Sequence, residues 1–141
     1  VILKQLKTMP DSLQEEANVL FAKMKKGEAS TVVHPQLMAL FRPSIQNYMI
    51  SWVALNPQTE IQRIQAPVLI LNGTTDIQVP VENAEVLHKA RPTAQLSIIE
   101  GMNHVLKNAP EERSANLKTY SQPDLKNTPE LVKVIVSFLN M

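Results

Sequence analysis

The first part of the chain alternates apolar and polar positions at a helical period. A helix is predicted to begin near Pro10, where Ser12 and Glu15 have the spacing of a capping box, and to end at Gly27. The apolar face of this helix consists of Leu13, Ala17, Leu20, Phe21 and Met24. Such a stripe indicates an amphipathic helix that buries one side.

Two further helices are predicted before residue 57. A short one covers Gln36 to Phe41, and Pro43 opens another that the Asn56-Pro57 pair closes. Ile45, Met49, Trp52 and Val53 share one face of the second of these helices. The apolar positions Met38, Leu40, Phe41, Met49 and Trp52 have two interpretations: they pack the helices on each other, or they line a hydrophobic pocket.

The pattern changes at Pro67, where helical periodicity gives way to a strand–helix–strand unit. The apolar run from Val68 to Leu71 is continuous, which is typical of a strand covered on both faces, and Gly73 interrupts it. A helix is predicted from Pro80 to Arg91 and a second strand from Ala94 to Ile99. A unit of roughly 30 residues with this order predicts two parallel strands and an α/β fold.

The C-terminal region is predicted to contain a loop and a final helix. Residues 108–127 are polar and poorly periodic, which predicts a loop with one short helix. Thr128 as N-cap and Pro129 at the first helical position open the last helix. Its apolar stripe consists of Leu131, Val134, Ile135, Phe138 and Leu139.

Composition excludes several classes of function. The net charge of +1 offers no basic face to nucleic acid, and the Lys23, Lys25 and Lys26 cluster suits the end of a helix. The absence of cysteine excludes disulfides, a thiolate nucleophile and cysteine-based zinc sites, and it fits a cytoplasmic protein. No segment resembles a signal peptide or a membrane span, so no membrane partner is expected.

Two turns carry the candidate chemistry. Residues 73–80, Gly-Thr-Thr-Asp-Ile-Gln-Val-Pro, follow the first predicted strand, and residues 100–104, Glu-Gly-Met-Asn-His, follow the second. Because the carboxyl ends of parallel strands lie at one edge of a sheet, Asp76 and His104 are expected to lie close together. A carboxylate beside an imidazole fixes its tautomer and stabilises the imidazolium that forms when it takes a proton.

Each residue of this pair also has a structural interpretation. Asp76 alone is a common turn residue, and His104 alone is an ordinary solvent-facing histidine, but their joint placement favours the catalytic interpretation. Asn103 is expected to have a plain turn role, with orientation of His104 or of the loop as the alternative. His34 and His88 are expected to be solvated or packing residues.

A nucleophile is missing from the sequence. The chain contains no Gly-x-Ser-x-Gly motif, and none of the following serines has a glycine-flanked elbow: Ser44, Ser51, Ser97, Ser114, Ser121 and Ser137. An acid and a base are therefore expected without the residue that they would activate.

The run from Ile64 to His104 resembles the C-terminal portion of the α/β-hydrolase fold family. Its motifs are Pro-Val-Leu-Ile-x-x-Gly-x-x-Asp-x-x-Val-Pro at residues 67–80 and Gly-x-x-His at residues 101–104. The resemblance implies that Asp76 is the triad acid and His104 the general base, since the family's chain order is Ser, Asp, His. It further implies that residues 1–57 are a helical cap or lid segment and residues 58–141 the C-terminal part of the hydrolase core.

The function that this resemblance implies is hydrolysis of a carboxylic ester or similar acyl substrate, without a cofactor or metal. The chain begins inside a helical pattern without methionine and is expected to be a fragment. An N-terminal half would supply the serine, and the chain alone would be inactive and prone to self-association through an unpaired strand. The alternative is a non-catalytic remnant or interaction module, and the fold also hosts lyases, dehalogenases and peroxidases.

Overall fold

The computed structural model describes Leu6 and residues 9–141. Close contacts within the chain divide it into two compact units, Val1–Asn56 and Pro57–Met141. Each unit has its own apolar core, so each is described separately. The interpretation of residues 1–57 as a cap and of residues 58–141 as part of a hydrolase core stays a prediction.

The first unit is helical. It contains helices α1 (Asp11–Lys25), α2 (Met38–Phe41) and α3 (Pro43–Val53), with a 3₁₀ helix at Pro35–Leu37 before α2. Its core is formed by Leu6, Leu13, Ala17, Leu20, Met24, Leu37, Phe41 and Met49. The rings of Phe21 and Phe41 meet edge to face, with centroids 5.0 Å apart. The predicted apolar face of α1 therefore lies on the core side.

Two details of this unit differ from the sequence-based expectation. The predicted capping box is wrong. Helix α1 begins at Asp11, Pro10 occupies the N-cap position, and no side chain caps the helix. Because Pro10 already holds the extended conformation of a cap, Ser12 lies inside the helix. Of the apolar stripe from Met38 to Trp52, Phe41 and Met49 are core residues, whereas Met38 and Trp52 are exposed. Packing therefore explains only part of the stripe.

The second unit is a mixed α/β structure. In chain order it contains α4 (Pro57–Arg63), β1 (Leu69–Gly73), α5 (Val81–Ala90), β2 (Gln95–Ile99), α6 (Arg113–Lys118), a 3₁₀ helix (Thr119–Ser121) and α7 (Pro129–Leu139). Strands β1 and β2 are parallel, with Leu69 opposite Gln95 and Gly73 opposite Ile99. The predicted βαβ unit and its parallel pairing are confirmed, and in the described residues the sheet has these two strands.

The two faces of β1 contribute to separate apolar clusters. Ile70 packs with Ile61 of α4 and Ala84 of α5, whereas the next residue, Leu71, packs with a cluster that includes Leu131 of α7. Successive side chains of a strand point to opposite faces, so helices cover the strand on both sides. This arrangement explains why the run from Val68 is continuously apolar. Helix α4 was not predicted.

The C-terminal region matches its prediction in part. A short helix, α6, does lie within residues 108–127, and α7 begins after Thr128. The Thr128 hydroxyl bonds to Asn108 Oδ1 at 3.0 Å and makes no capping bond to α7. Within α7, Leu131 is buried but Ile135 and Leu139 are exposed, so these two members of the predicted stripe do not face the core. No helix of the described residues is both long and apolar enough to cross a bilayer.

Candidate functional site

Asp76 and His104 meet at the carboxyl-terminal edge of the sheet. Asp76 lies in the turn after β1 and His104 in the turn after β2, and His104 Nδ1 lies 2.9 Å from Asp76 Oδ2. The proximity predicted from their matched positions is confirmed. Adjacent parallel strands deliver both turns to the same edge, which is where open α/β sheets place their sites.

The two side chains differ in their access to solvent. The Asp76 side chain is 8% exposed and the His104 side chain 40%. With Asp76 as a carboxylate, which can only accept hydrogen bonds, the Nδ1 atom of His104 must carry the shared hydrogen. The imidazole then has Nε2 as its basic nitrogen. This is the orientation that a general base needs.

The second carboxylate oxygen of Asp76 is bonded to the backbone of its own turn. Oδ1 accepts hydrogen bonds from the backbone N–H groups of Gln78 at 2.8 Å and Val79 at 2.9 Å. This is the Asx-turn arrangement that makes aspartate common in such turns. The structural interpretation of Asp76 as a turn residue is therefore confirmed, and these two bonds fix the direction of Oδ2.

Two hydrogen bonds join the turn of Asp76 to the turn of His104. The Thr74 hydroxyl accepts a hydrogen bond from Gly101 N at 2.9 Å, and Thr75 N donates to Met102 O at 3.2 Å. Gly73 allows this approach, because a Cβ at that position would lie 1.8 Å from Met102 O. The glycine that ends the apolar run is therefore required by close packing between the two turns.

Asn103 is buried and organises the turn that carries His104. Its side chain is bonded to Asn116 and Thr119, and its Oδ1 accepts from the backbone N–H groups of Val105 and Lys107. A plain turn role for Asn103 is therefore too limited an interpretation. Sequence reasoning missed Asn116 and Thr119 because they lie in the polar, aperiodic stretch after the histidine, where no local pattern indicates burial.

A cavity of about 220 Å³ lies beside the pair. Apart from Asp76 and His104, its lining is mostly apolar and includes Leu71, Val79, Met102 and Leu106. Leu106 has a positive φ of 64°, an uncommon conformation for leucine, and its side chain is exposed. A small apolar group could occupy this space next to the imidazole.

The other candidate residues take structural positions. His34 precedes the 3₁₀ helix at Pro35, and its Nδ1 accepts from Gln36 N, while His88 lies within α5. Ser97 lies in β2 and Ser137 in α7. Over residues 9–141 and Leu6, no hydrogen bond links a serine to His104, and no cluster of three or more histidine or acidic side chains could hold a metal ion. No family model matches the chain.

Proposed function

We propose that this chain supplies the catalytic acid and base of a serine hydrolase of the α/β-hydrolase type. The observation that carries the proposal is the 2.9 Å contact between His104 Nδ1 and Asp76 Oδ2 at one edge of two parallel strands. In this proposal β1 and β2 are the last strands of a larger hydrolase sheet. Residues 1–57 are its helical cap.

The proposed mechanism divides the work between the two residues. A serine outside these 141 residues attacks the acyl carbon, and His104 Nε2 accepts the proton of its hydroxyl. Asp76 holds the imidazole and stabilises its protonated form, which then donates the proton to the leaving group. Water, with His104 again as the base, then attacks the acyl-serine, releases the acid and regenerates the serine hydroxyl. The substrate class is a carboxylic ester or similar acyl compound. The mostly apolar lining of the cavity beside His104 supports this substrate class, because such a surface suits the hydrocarbon part of an acyl group.

The second candidate is a non-catalytic module of the same fold. The observation in its favour is that Asp76 already has a complete structural role, with two backbone bonds through Oδ1 and one bond to His104 through Oδ2. A pair that merely joins two turns would show these same contacts. The two candidates differ in whether a serine reacts in a way that depends on His104.

The test uses the complete coding sequence that contains these residues. The reading frame upstream of Val1 is examined for a Gly-x-Ser-x-Gly motif, and the full chain is treated with a fluorophosphonate probe that labels activated serines. We expect labelling that His104→Ala abolishes and Asp76→Asn strongly reduces, because both remove the activation of the nucleophile. His34→Ala, a histidine of the other unit, is the matched control and should leave labelling unchanged.

Two outcomes would contradict the proposal. One is a reading frame that supplies no such serine. The other is labelling of the full chain that survives His104→Ala. Either would favour the non-catalytic module.

A further inference from the structure

Three polar side chains form a buried cluster behind the two turns. Asn103, Asn116 and Thr119 are 1%, 0% and 7% exposed. Burying amide and hydroxyl groups is unfavourable unless their hydrogen bonds are satisfied. An apolar group of similar size would fill such a site at lower cost. The presence of three polar side chains therefore requires a reason other than packing.

Asn116 connects the turn of the acid to the turn of the histidine. Its Nδ2 donates to Thr75 O and to Pro110 O, both at 2.9 Å, and its Oδ1 accepts from Asn103 Nδ2 at 3.2 Å. Thr75 directly precedes Asp76, and Asn103 directly precedes His104. One side chain of α6 thus holds the residue before each member of the pair.

Asn103 and Thr119 complete the cluster. Asn103 Oδ1 accepts from Val105 N at 3.2 Å and Lys107 N at 3.1 Å, so it contacts the backbone on the C-terminal side of His104. Asn103 Nδ2 also donates to Thr119 Oγ1 at 2.7 Å, and that hydroxyl donates to Asn116 O at 2.8 Å. The amide groups are held in one orientation because both of their ends are bonded.

His104 depends on its backbone for its position. Its imidazole is hydrogen-bonded to Asp76 in the described residues and its side chain is 40% exposed, so the position of its turn decides whether Nδ1 faces the carboxylate. We infer that Asn103, Asn116 and Thr119 are positioning residues, which hold the two turns so that His104 Nδ1 points at Asp76 Oδ2. That these residues serve catalysis rests on the proposed function. That they hold the two turns together rests on the hydrogen bonds alone.

The test is NMR spectroscopy of the His104 imidazole in the 141-residue chain. Its ¹⁵N shifts report the tautomer, and its Nδ1 proton is observable when a strong hydrogen bond protects it from water. Asp76→Asn provides the spectrum of a disrupted pair. The decisive comparison is Thr119→Val, which is nearly isosteric but lacks the hydroxyl, against Thr119→Ser, which keeps it.

We expect Thr119→Val to lose the Nδ1 proton signal and to shift the ¹⁵N resonances toward those of Asp76→Asn. Thr119→Ser should retain both features, because its hydroxyl can still accept from Asn103 and donate to Asn116. Asn116→Ala should cause a larger loss, since it removes the bond to Thr75 O. If Asn116→Ala does not fold, the threonine pair decides the question.

Ile61→Val is the control for general destabilisation, because Ile61 belongs to the other apolar cluster of the same unit. It should leave the His104 resonances unchanged. A wild-type His104 spectrum in folded Thr119→Val would overturn the inference, and so would loss of the signal in Ile61→Val. A reading frame without the serine, or labelling that survives His104→Ala, would overturn the proposed function and leave this result intact.

Discussion

Replacement of Gly73 by alanine tests whether close contact between the two turns holds the candidate site together. The added Cβ would lie 1.8 Å from Met102 O, 2.5 Å from Met102 C and 2.8 Å from Met102 Cβ. Two of these atoms belong to the backbone, so no side-chain rotation relieves the overlap. The turn that carries His104 must move away from the turn that carries Asp76.

The expected loss of folding free energy has two parts: the overpacking itself and the hydrogen bonds that the movement breaks. Overpacking of a filled site costs about 1–3 kcal/mol. The separation would also break the bonds from Thr75 N to Met102 O and from Gly101 N to the Thr74 hydroxyl, at about 1 kcal/mol each. We therefore expect Gly73→Ala to lower the free energy of unfolding by about 3–5 kcal/mol. It should also remove the Nδ1 proton signal of His104.

Urea unfolding measures the stability change. With a slope of about 2 kcal/mol per molar urea, the midpoint should fall by about 2 M. Gly101→Ala is the matched control in the other turn, because Gly101 has a φ of 69° and its added Cβ would meet no atom within 4 Å. That variant should lose only about 1–2 kcal/mol, the cost of the left-handed conformation. A Gly73→Ala variant no less stable than Gly101→Ala would refute the reasoning.

Four further predictions concern both units of the chain. Gln46→Ala leaves the backbone groups of Ser30 and Phe41 without their buried partner and should cost about 3 kcal/mol in denaturant unfolding, whereas the exposed Asn47→Ala should change stability by less than about 0.5 kcal/mol. The N–H groups of Ser114 and Ala115 hold the pKa of Glu112 below its ordinary value. The stabilisation from this cap is therefore present above the pKa of the unfolded chain and lost as the pH falls through the lower folded pKa, so the Ser114 amide shift should titrate in the wild type and not in Glu112→Gln. The 141-residue chain should show no ester turnover above that of its His104→Ala variant, since loss of a nucleophile costs about 10⁶-fold in kcat in a serine protease; turnover that His104→Ala abolishes would mean that a serine of this chain acts. The chain should self-associate through the outer edges of β1 and β2, where no third strand pairs in the described residues, and through the exposed apolar residues of α7. Sedimentation over a concentration series tests this, and a monomer at high concentration would contradict it.

The elements that the sequence predicted correctly depend on local patterns. The continuous apolar run at β1, the glycine after it and the proline before α5 each indicate structure within a few residues. The parallel pairing of β1 and β2 follows from the length of the segment between them. Once the strands are parallel, the placement of Asp76 and His104 at one edge requires no further information. This is why their proximity could be predicted without a structure.

The features that sequence reasoning missed depend on contacts between distant residues. Asn103 is bonded to Asn116 and Thr119, which follow it by 13 and 16 residues across a polar stretch. An asparagine in such a stretch ordinarily indicates a solvated loop, because nothing local distinguishes a buried amide from an exposed one. The failed capping box at Ser12 has a different cause. Pro10 occupies the N-cap position two residues earlier, so Ser12 and Glu15 both lie inside the helix and do not cap its N-terminus.

Asp76 shows that a structural role and the proposed catalytic role do not compete for this residue. Oδ1 is bonded to two backbone N–H groups of the turn, and Oδ2 is bonded to His104. The Asx turn fixes the carboxylate, so the bond to His104 requires no further ordering of the aspartate side chain. A glutamate could reach His104, but its longer side chain would not close the same turn. The turn therefore explains why aspartate suits this position, and the pairing with His104 explains why its second oxygen faces the turn that follows β2.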